Sequence, residues 1–177
     1  FRLRGLPQRG RSLRQERSLR AQPPLRWRRR EGGLRLAREA MECAVRGQIL
    51  PPLEITSLAP LLQENGASFV TLTIDSELRG CIGALEAFQP LAEDVREHAV
   101  SAALYDPRFP PVRENELSRI KLEVSRLTAP LPLEYSSSED LLKKLHPHVD
   151  GVILRDVHRR ATFLPQVWEQ IPDPTEF

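Results

Sequence analysis

A β-hairpin between Ser68 and Leu85 is the feature that most restricts the fold of this chain. Residues 68–74 combine β-branched and aromatic side chains with an alternating pattern, as a strand does. Asp75-Ser76-Glu77 then predicts a tight reversal, after which the chain returns through residues 78–85. Because strands joined by so short a turn pair side by side, the sheet has to contain this antiparallel pair.

Helices and further strands are predicted on both sides of the hairpin. Apolar residues at helical spacing predict one helix that begins at Leu34 and ends at Gly47, and another over 91–104. The other predicted elements are a short helix at 57–63, a strand at 120–125, a short helix at 136–145 and a closing hairpin at 151–164. This order contains no repeated strand–helix units with phosphate loops, so it predicts an α+β fold with a mainly antiparallel sheet.

The first 33 residues differ in composition from the rest of the chain. Residues 1–30 contain eleven arginines and a single acid, Glu16, whereas the whole chain has a net charge of only +2. We expect 1–33 to be a disordered tail outside the fold, either a nucleic-acid arm, a transit peptide or sequence under no structural selection. The domain at 34–177 is therefore acidic, which argues against a nucleic-acid partner for the folded part.

Cysteine usage and the absence of common motifs exclude several classes. Cys43 and Cys81 are far apart and form no CxxC pair, so we expect neither a zinc ribbon nor a disulfide scaffold, and a reducing, cytoplasmic setting fits. No apolar run reaches the roughly 18 residues of a membrane span.

No Walker loop, GxGxxG, GxSxG or HExxH occurs, so no cofactor is predicted. His146, His148 and Asp150 have ligand types at close spacing, but their loop setting and proline predict no metal site.

The best candidate for a site is Cys81, which lies in the hexamer Leu78-Arg79-Gly80-Cys81-Ile82-Gly83. Glycines such as Gly80 and Gly83 let a backbone or a ligand approach closely. A nucleophilic thiol also needs a neighbouring base or cation. Adjacent strand residues point to opposite faces, so Arg79 reaches the sulfur only if the backbone is kinked at Gly80. The alternative is that Cys81 is a buried apolar residue.

His98 is the candidate base for this thiol. It shares a helical stripe with Leu91, Val95 and Ala102, so it faces the core or a cleft, and its helix is expected to pack on the preceding hairpin. A histidine on such a stripe can equally be a hydrogen-bonded core residue. The sequence leaves both alternatives open.

Two further groups carry charge near this region. Asp106-Pro107-Arg108-Phe109-Pro110-Pro111 fixes one acid and one base between prolines, so Arg108 is either an anion binder or half of an Asp106–Arg108 pair that ends the helix. Glu123 lies opposite the apolar face of its strand, where it is solvated, paired with an arginine or able to act as a base near a cleft.

Several motifs in order resemble the AMMECR family, known in bacteria and archaea as AmmeMemoRadiSam system protein A. They are residues 69–72 (FVTL), 78–83 (LRGCIG), 106–111 (DPRFPP), 122–125 (LEVS) and 163–170 (FLPQVWEQ). The resemblance covers about 34–177 and implies a large and a small subdomain, an antiparallel sheet flanked by helices, and a cleft between the subdomains. Family proteins usually continue past the equivalent of Phe177, so we expect the domain to be truncated at its C-terminus.

The resemblance also implies partners, a Memo-type protein and a radical S-adenosylmethionine protein, and bacterial members often carry histidine at the position of His98. The leading hypothesis is a cysteine-dependent enzyme or modifying component with Cys81 as nucleophile and His98 as base, acting on a small molecule or a protein. Its substrate-binding residues would be Arg79, Gly80, Gly83, Asp106, Arg108 and Glu123. The competing hypothesis is a non-catalytic protein-interaction or RNA-binding module in which the hexamer is structural. The sequence does not decide whether the chain is an enzyme.

Overall fold

The computed structural model describes residues 17–20, 32–128, 131–147, 149–155, 160–163, 167–168, 171 and 173. The chain divides into two compact units. The central unit is Pro24–Leu127, and the terminal unit combines Phe1–Pro23 with Thr128–Phe177. Every candidate site residue lies in the central unit.

Helices and antiparallel strands are both present, as an α+β fold requires. The helices are α1 (Gly33–Val45), α2 (Pro60–Gln63), α3 (Leu91–Leu104) and α4 (Ser138–Lys144), with 3₁₀ turns at Ile55–Ser57 and Glu114–Glu116. The strands are β1 (Arg17–Arg20), β2 (Asn65–Ile74), β3 (Glu77–Gly83), β4 (Gln89–Pro90), β5 (Lys121–Leu127), β6 (Leu131–Pro132), β7 (Asp150–Arg155) and β8 (Arg160–Phe163). All their pairings are antiparallel, so the predicted fold class is confirmed.

The predicted hairpin is the centre of the central unit. β2 pairs with β3, β4 and β5, and the turn to β3 is made by Asp75 and Ser76, whose φ angles are 53° and 73°. Positive φ at both central residues is what a two-residue turn needs to match the twist of its strands. β2 therefore joins the rest of the sheet together.

The two faces of this sheet have different surroundings. Val70 and Leu72 are fully buried among residues of α1 and α3, and we call their face the inner face. The opposite face, which carries Phe69, Thr71 and Thr73, is the outer face, since successive residues of a strand alternate. The helix stripes predicted from spacing are confirmed, because the following residues lie in the inner core: Ala37, Ala40, Met41, Leu91, Val95 and Ala102.

The terminal unit contains a sheet in the order β6-β1-β7-β8. β1 forms within the tail, where the sequence predicted no regular structure, and it pairs with β6 and β7 through backbone groups that a side-chain pattern does not reveal. The rest of the tail lies outside the described residues.

A small apolar cluster around Trp168 supports the terminal unit. Trp168 is fully buried, and its Nε1 donates to the carbonyl of Asp150 at 2.7 Å. The carboxylate of Asp150 accepts the backbone N–H of His146 and lies 2.9 Å from its Nδ1. This part of the suspected metal motif closes a turn, and His148 lies outside the described residues.

In the described part of the chain, no helix has the length and apolar content needed to cross a membrane.

Candidate functional site

A β-bulge places Arg79 out of register in β3. Leu72 of β2 pairs with Gly80, and Thr73 pairs with Leu78, so Arg79 has no partner of its own. A bulge bends the strand locally and re-aims the side chain at that position. The kink that the sequence analysis required is therefore present, directly before Gly80.

The bulge turns Arg79 toward the segment after α3 rather than toward the thiol. Its Nε and Nη2 donate to the two carboxylate oxygens of Glu116 at 2.8 and 3.1 Å, and its Nη1 donates to the carbonyl of Pro110 at 2.9 Å. This guanidinium is the main reason why the pKa of Glu116 is lowered. Arg79 thus attaches the proline-rich loop to β3.

Asp106 and Arg108 hold β3 at Cys81. The backbone N–H of Cys81 donates to Oδ2 of Asp106 at 2.8 Å, and its carbonyl accepts from Nη2 of Arg108 at 2.9 Å. Both backbone groups point away from β2, as they do in a non-hydrogen-bonded antiparallel pair. The two side chains take the role that a neighbouring strand would have, and we call this arrangement the Cys81 clasp.

The clasp depends on a close ion pair. Nε and Nη2 of Arg108 donate to the two oxygens of Asp106 at 2.9 and 2.7 Å, so the pair predicted from the sequence is present. The Asp106 side chain is 2% exposed, whereas that of Arg108 is 52% exposed. Arg108, helped by the backbone N–H groups of Cys81 and Arg108 and opposed by burial, lowers the pKa of Asp106 to about 2. Asp106 is therefore a fixed carboxylate.

The thiol of Cys81 lies on the outer face beside a hydroxyl and a cation. Its Sγ is 3.3 Å from Oγ1 of Thr71, which is paired with it across β2 and β3. The guanidinium of Arg108 donates to the carbonyl of Cys81 at 2.9 Å, and its pKa is raised, mainly by Asp106 and also by Cys81. Among the described residues, the candidate site residues Cys81, Asp106 and Arg108 therefore lie together.

Glu123 belongs to the same row of side chains. Thr71 pairs with Cys81 on one side and with Glu123 on the other, so the three residues lie in line across β3, β2 and β5. Directly opposite side chains on one face have Cβ atoms about 4.5 to 5.5 Å apart. Glu123 is exposed and accepts a long hydrogen bond of 3.4 Å from Ser125. The row therefore combines a thiol, a hydroxyl and a carboxylate.

The structure does not bring His98 to this row. Its Nδ1 lies 3.1 Å from Oδ2 of Asp94, which also accepts from the hydroxyl of Ser68 at 2.6 Å, and all three residues are buried. Because Ser68 and α3 are on the inner face and Cys81 points to the outer face, the sheet lies between imidazole and thiol. The chain of contacts has the carboxylate in its middle, unlike a catalytic triad, whose middle member is the histidine.

The two glycines of the hexamer are surrounded by protein. A Cβ at Gly80 would lie 2.2 Å from the carbonyl oxygen of Ala102, and one at Gly83 would lie 2.3 Å from that of Ser68. Gly80 therefore allows α3 to approach β3, and Gly83 allows β3 to approach β2. In both cases the space that glycine leaves is occupied by the fold itself.

Sequence reasoning missed Thr71 and Glu116. Thr71 carries a detectable signal, because the alternation of β2 places it on the face of Phe69 and Thr73, but its pairing with Cys81 also depends on the bulge. Glu116 carries no signal, since a single acid in a polar loop does not indicate its partner.

The comparisons with known proteins agree with the motifs. The family model AMMECR1 matches residues 34–177. The chain belongs to the AMMECR1 family. A protein of Methanothermobacter thermautotrophicus is 42% identical over 134 residues, which cover 76% of this chain and 69% of that protein. Protein MK0488 of Methanopyrus kandleri is 40% identical over 150 residues, covering 78% and 70%.

A solved structure supports the fold of this AMMECR1-family chain. The crystal structure of the uncharacterized protein PH0010 from Pyrococcus horikoshii is similar, with a TM-score of 0.73 and 34% identity. The similarity covers 82% of this chain and 73% of that one. The resemblance deduced from the motifs is therefore confirmed as membership of the family.

Proposed function

We propose that this AMMECR1-family domain is a cysteine-dependent modifying component whose site is the row of Cys81, Thr71 and Glu123 together with Arg108. The observation that carries the proposal is the position of the thiol 3.3 Å from the Thr71 hydroxyl, in a residue whose carbonyl accepts from the Arg108 guanidinium at 2.9 Å. Cysteines that act as nucleophiles are partly exposed and lie near a cation or a base. Cys81 is half-buried, as such a group has to be.

The arrangement assigns a distinct role to each residue. The Nη1 group of Arg108, which the contacts to Asp106 and to the Cys81 carbonyl do not use, donates to an anionic group of the substrate such as a carboxylate or a phosphate. The sulfur of Cys81 adds to a carbonyl carbon beside that group, so that the new C–S bond replaces the π bond and the electron pair goes to the carbonyl oxygen. The thiol proton passes through the Thr71 hydroxyl to Glu123 at the far end of the row. Asp106 and the backbone of Cys81 keep Arg108 in place, so the site needs little reorganisation.

Labelling of the folded chain tests this function. Cys43 is also half-buried and serves as the internal control. We expect iodoacetamide to modify Cys81 at least about tenfold faster than Cys43 at neutral pH. Arg108→Gln should reduce the difference, whereas Arg119→Gln, which changes an arginine of similar exposure that pairs with Asp75, should leave it unchanged. Equal rates at the two cysteines in the unmodified chain would exclude a nucleophilic Cys81.

A second candidate function is protein docking without catalysis. The observation in its favour is that Arg79, Gly80, Gly83 and Asp106 make contacts that hold the fold together. Under this proposal the exposed residues of the outer face recognise a partner, and the resemblance suggests a Memo-type protein or a radical S-adenosylmethionine protein. Titration of the chain with each purified protein tests this proposal. Binding should persist in the Cys81→Ser variant, because docking does not need the thiol. Loss of binding in that variant would count against the docking proposal.

A further inference from the structure

Arg96 is a buried cation on α3. It is 7% exposed, and its Nη2 donates to the carbonyl of Pro51. Among the described residues, no aspartate or glutamate forms an ion pair with it. Arginine is rarely buried without a counter-charge, and its guanidinium has five N–H donors. Among the described residues, the fold therefore leaves most of these N–H donors available to a bound molecule.

A groove lies directly over Arg96. Its volume is about 340 Å³, within the usual range for small-molecule sites. Besides Arg96, it is lined by the apolar side chains of Leu50 and Val100, the ring of Tyr105, and the carboxylates of Glu93 and Glu97. Tyr105 is 71% exposed, so its ring is available to a bound molecule. The groove combines one cation, two anions and an apolar wall.

The order of these charges selects a class of ligand. Glu93 lies three positions before Arg96 on α3, which makes them neighbours on the helix surface, with Cβ atoms about 5 to 6 Å apart. A simple anion on Arg96 would be repelled by the two carboxylates, and a simple cation would be repelled by Arg96. A molecule with a carboxylate and an ammonium group attached to the same carbon atom meets both requirements.

We infer that this groove binds a free α-amino acid with an apolar or aromatic side chain. Its carboxylate accepts from Arg96, its ammonium group donates to Glu93 and Glu97, and its side chain packs on Leu50, Val100 and Tyr105. The site is separate from Cys81, because α3 covers the inner face of the sheet and the thiol lies on the outer face. The inference goes beyond the proposed thiol chemistry and does not depend on it.

Titration of the full chain followed by NMR tests the site. The probes are leucine and phenylalanine, with 4-methylpentanoate, which lacks the ammonium group, and 3-methylbutylamine, which lacks the carboxylate. We expect saturable binding of at least one amino acid with a Kd below about 10 mM and binding of both analogues at least about tenfold weaker. No saturation by either amino acid, or equal binding of the analogues, would overturn the inference.

Two substitutions separate the roles of the charges. Glu93→Gln should weaken leucine binding about tenfold while strengthening that of 4-methylpentanoate, because it removes an attraction for one probe and a repulsion for the other. Glu77→Gln, at an exposed acid of β3 outside the groove, should change neither. Arg96→Lys should weaken both carboxylate probes, and if that variant does not fold, the opposite responses to Glu93→Gln decide alone. Equal weakening of both probes by Glu93→Gln would overturn the inference.

Discussion

The carboxylate of Asp106 accepts the backbone N–H of Cys81 at 2.8 Å, across 25 positions of sequence. Two motifs that are separate in the sequence are thus one structural unit, since Arg108 returns a hydrogen bond to the carbonyl of the same residue.

Asp106→Asn should destabilise the chain by about 2 to 3 kcal/mol, because it removes the charge that holds a guanidinium and weakens two backbone hydrogen bonds. Urea unfolding measures the difference. Asp75→Asn is the matched control, since Asp75 and Arg119 form an exposed pair at the hairpin turn, and such pairs contribute about 0 to 1 kcal/mol. Similar losses in both variants would contradict a special role for the clasp.

The same carboxylate should make stability depend on acid. The pKa of Asp106 is about 2 in the folded chain and about 3.9 in an unfolded one. The stabilisation is fully present above the unfolded pKa and is lost as the pH falls from about 4 to 2, by about 2 kcal/mol in total. Unfolding free energies measured from pH 6 to pH 2 should converge for the original chain and Asp106→Asn. A constant difference across this range would show that Asp106 keeps an ordinary pKa.

Gly80→Ala should destabilise the chain by about 3 kcal/mol, because its Cβ would lie 2.2 Å from the carbonyl oxygen of Ala102. Gly47→Ala provides the comparison, since Gly47 has a φ of 65° and nothing within 4 Å of an added Cβ. That change should cost about 1 kcal/mol, from backbone strain alone. Thermal and chemical unfolding of both variants distinguish steric overlap from strain, and an equal loss would argue against close packing of α3 on β3.

His98→Gln should change stability but not thiol chemistry. It disturbs the buried contact to Asp94, for which we expect a loss of about 1 to 3 kcal/mol. The rate at which iodoacetamide modifies Cys81 should stay within about twofold, because the sheet separates the two side chains. A large drop in that rate, with the variant still folded, would restore His98 as the base predicted from the sequence.

Thr71→Val should change thiol chemistry but not stability, the opposite of what we expect for His98→Gln. The substitution removes the hydroxyl beside the sulfur while keeping a β-branched side chain that suits a strand, so stability should change by less than about 1 kcal/mol. The alkylation rate of Cys81 should change severalfold, since the 3.3 Å contact to Oγ1 is lost. Thr73→Val, at another outer-face position of β2, is the control, and equal rates in the two variants would remove Thr71 from the site.

Local patterns predicted much of the fold. The alternation of β2 and the helical stripes of α1 and α3 depend on residues close in sequence, so the hairpin and the buried faces could be deduced directly. The inward position of His98 was also predictable. Its separation from Cys81 was not predictable, because the apolar stripe of a helix does not indicate which face of the sheet the helix covers.

The contacts of the site join residues that are far apart in the sequence, so local patterns did not predict them. The bulge at Arg79 arises from the register of β3 against β2, and Asp106 reaches Cys81 only because α3 ends beside β3. An acid and an arginine between prolines predicted their mutual pair, but not the strand that the pair holds. Register and loop direction are properties of the assembled sheet, which composition and spacing do not encode.

The Cys81 clasp recognises peptide groups and ignores the side chain between them. Asp106 and Arg108 bond to the N–H and the carbonyl of residue 81, so serine or alanine there leaves these bonds intact. The scaffold can therefore exchange one reactive group for another without rebuilding its architecture.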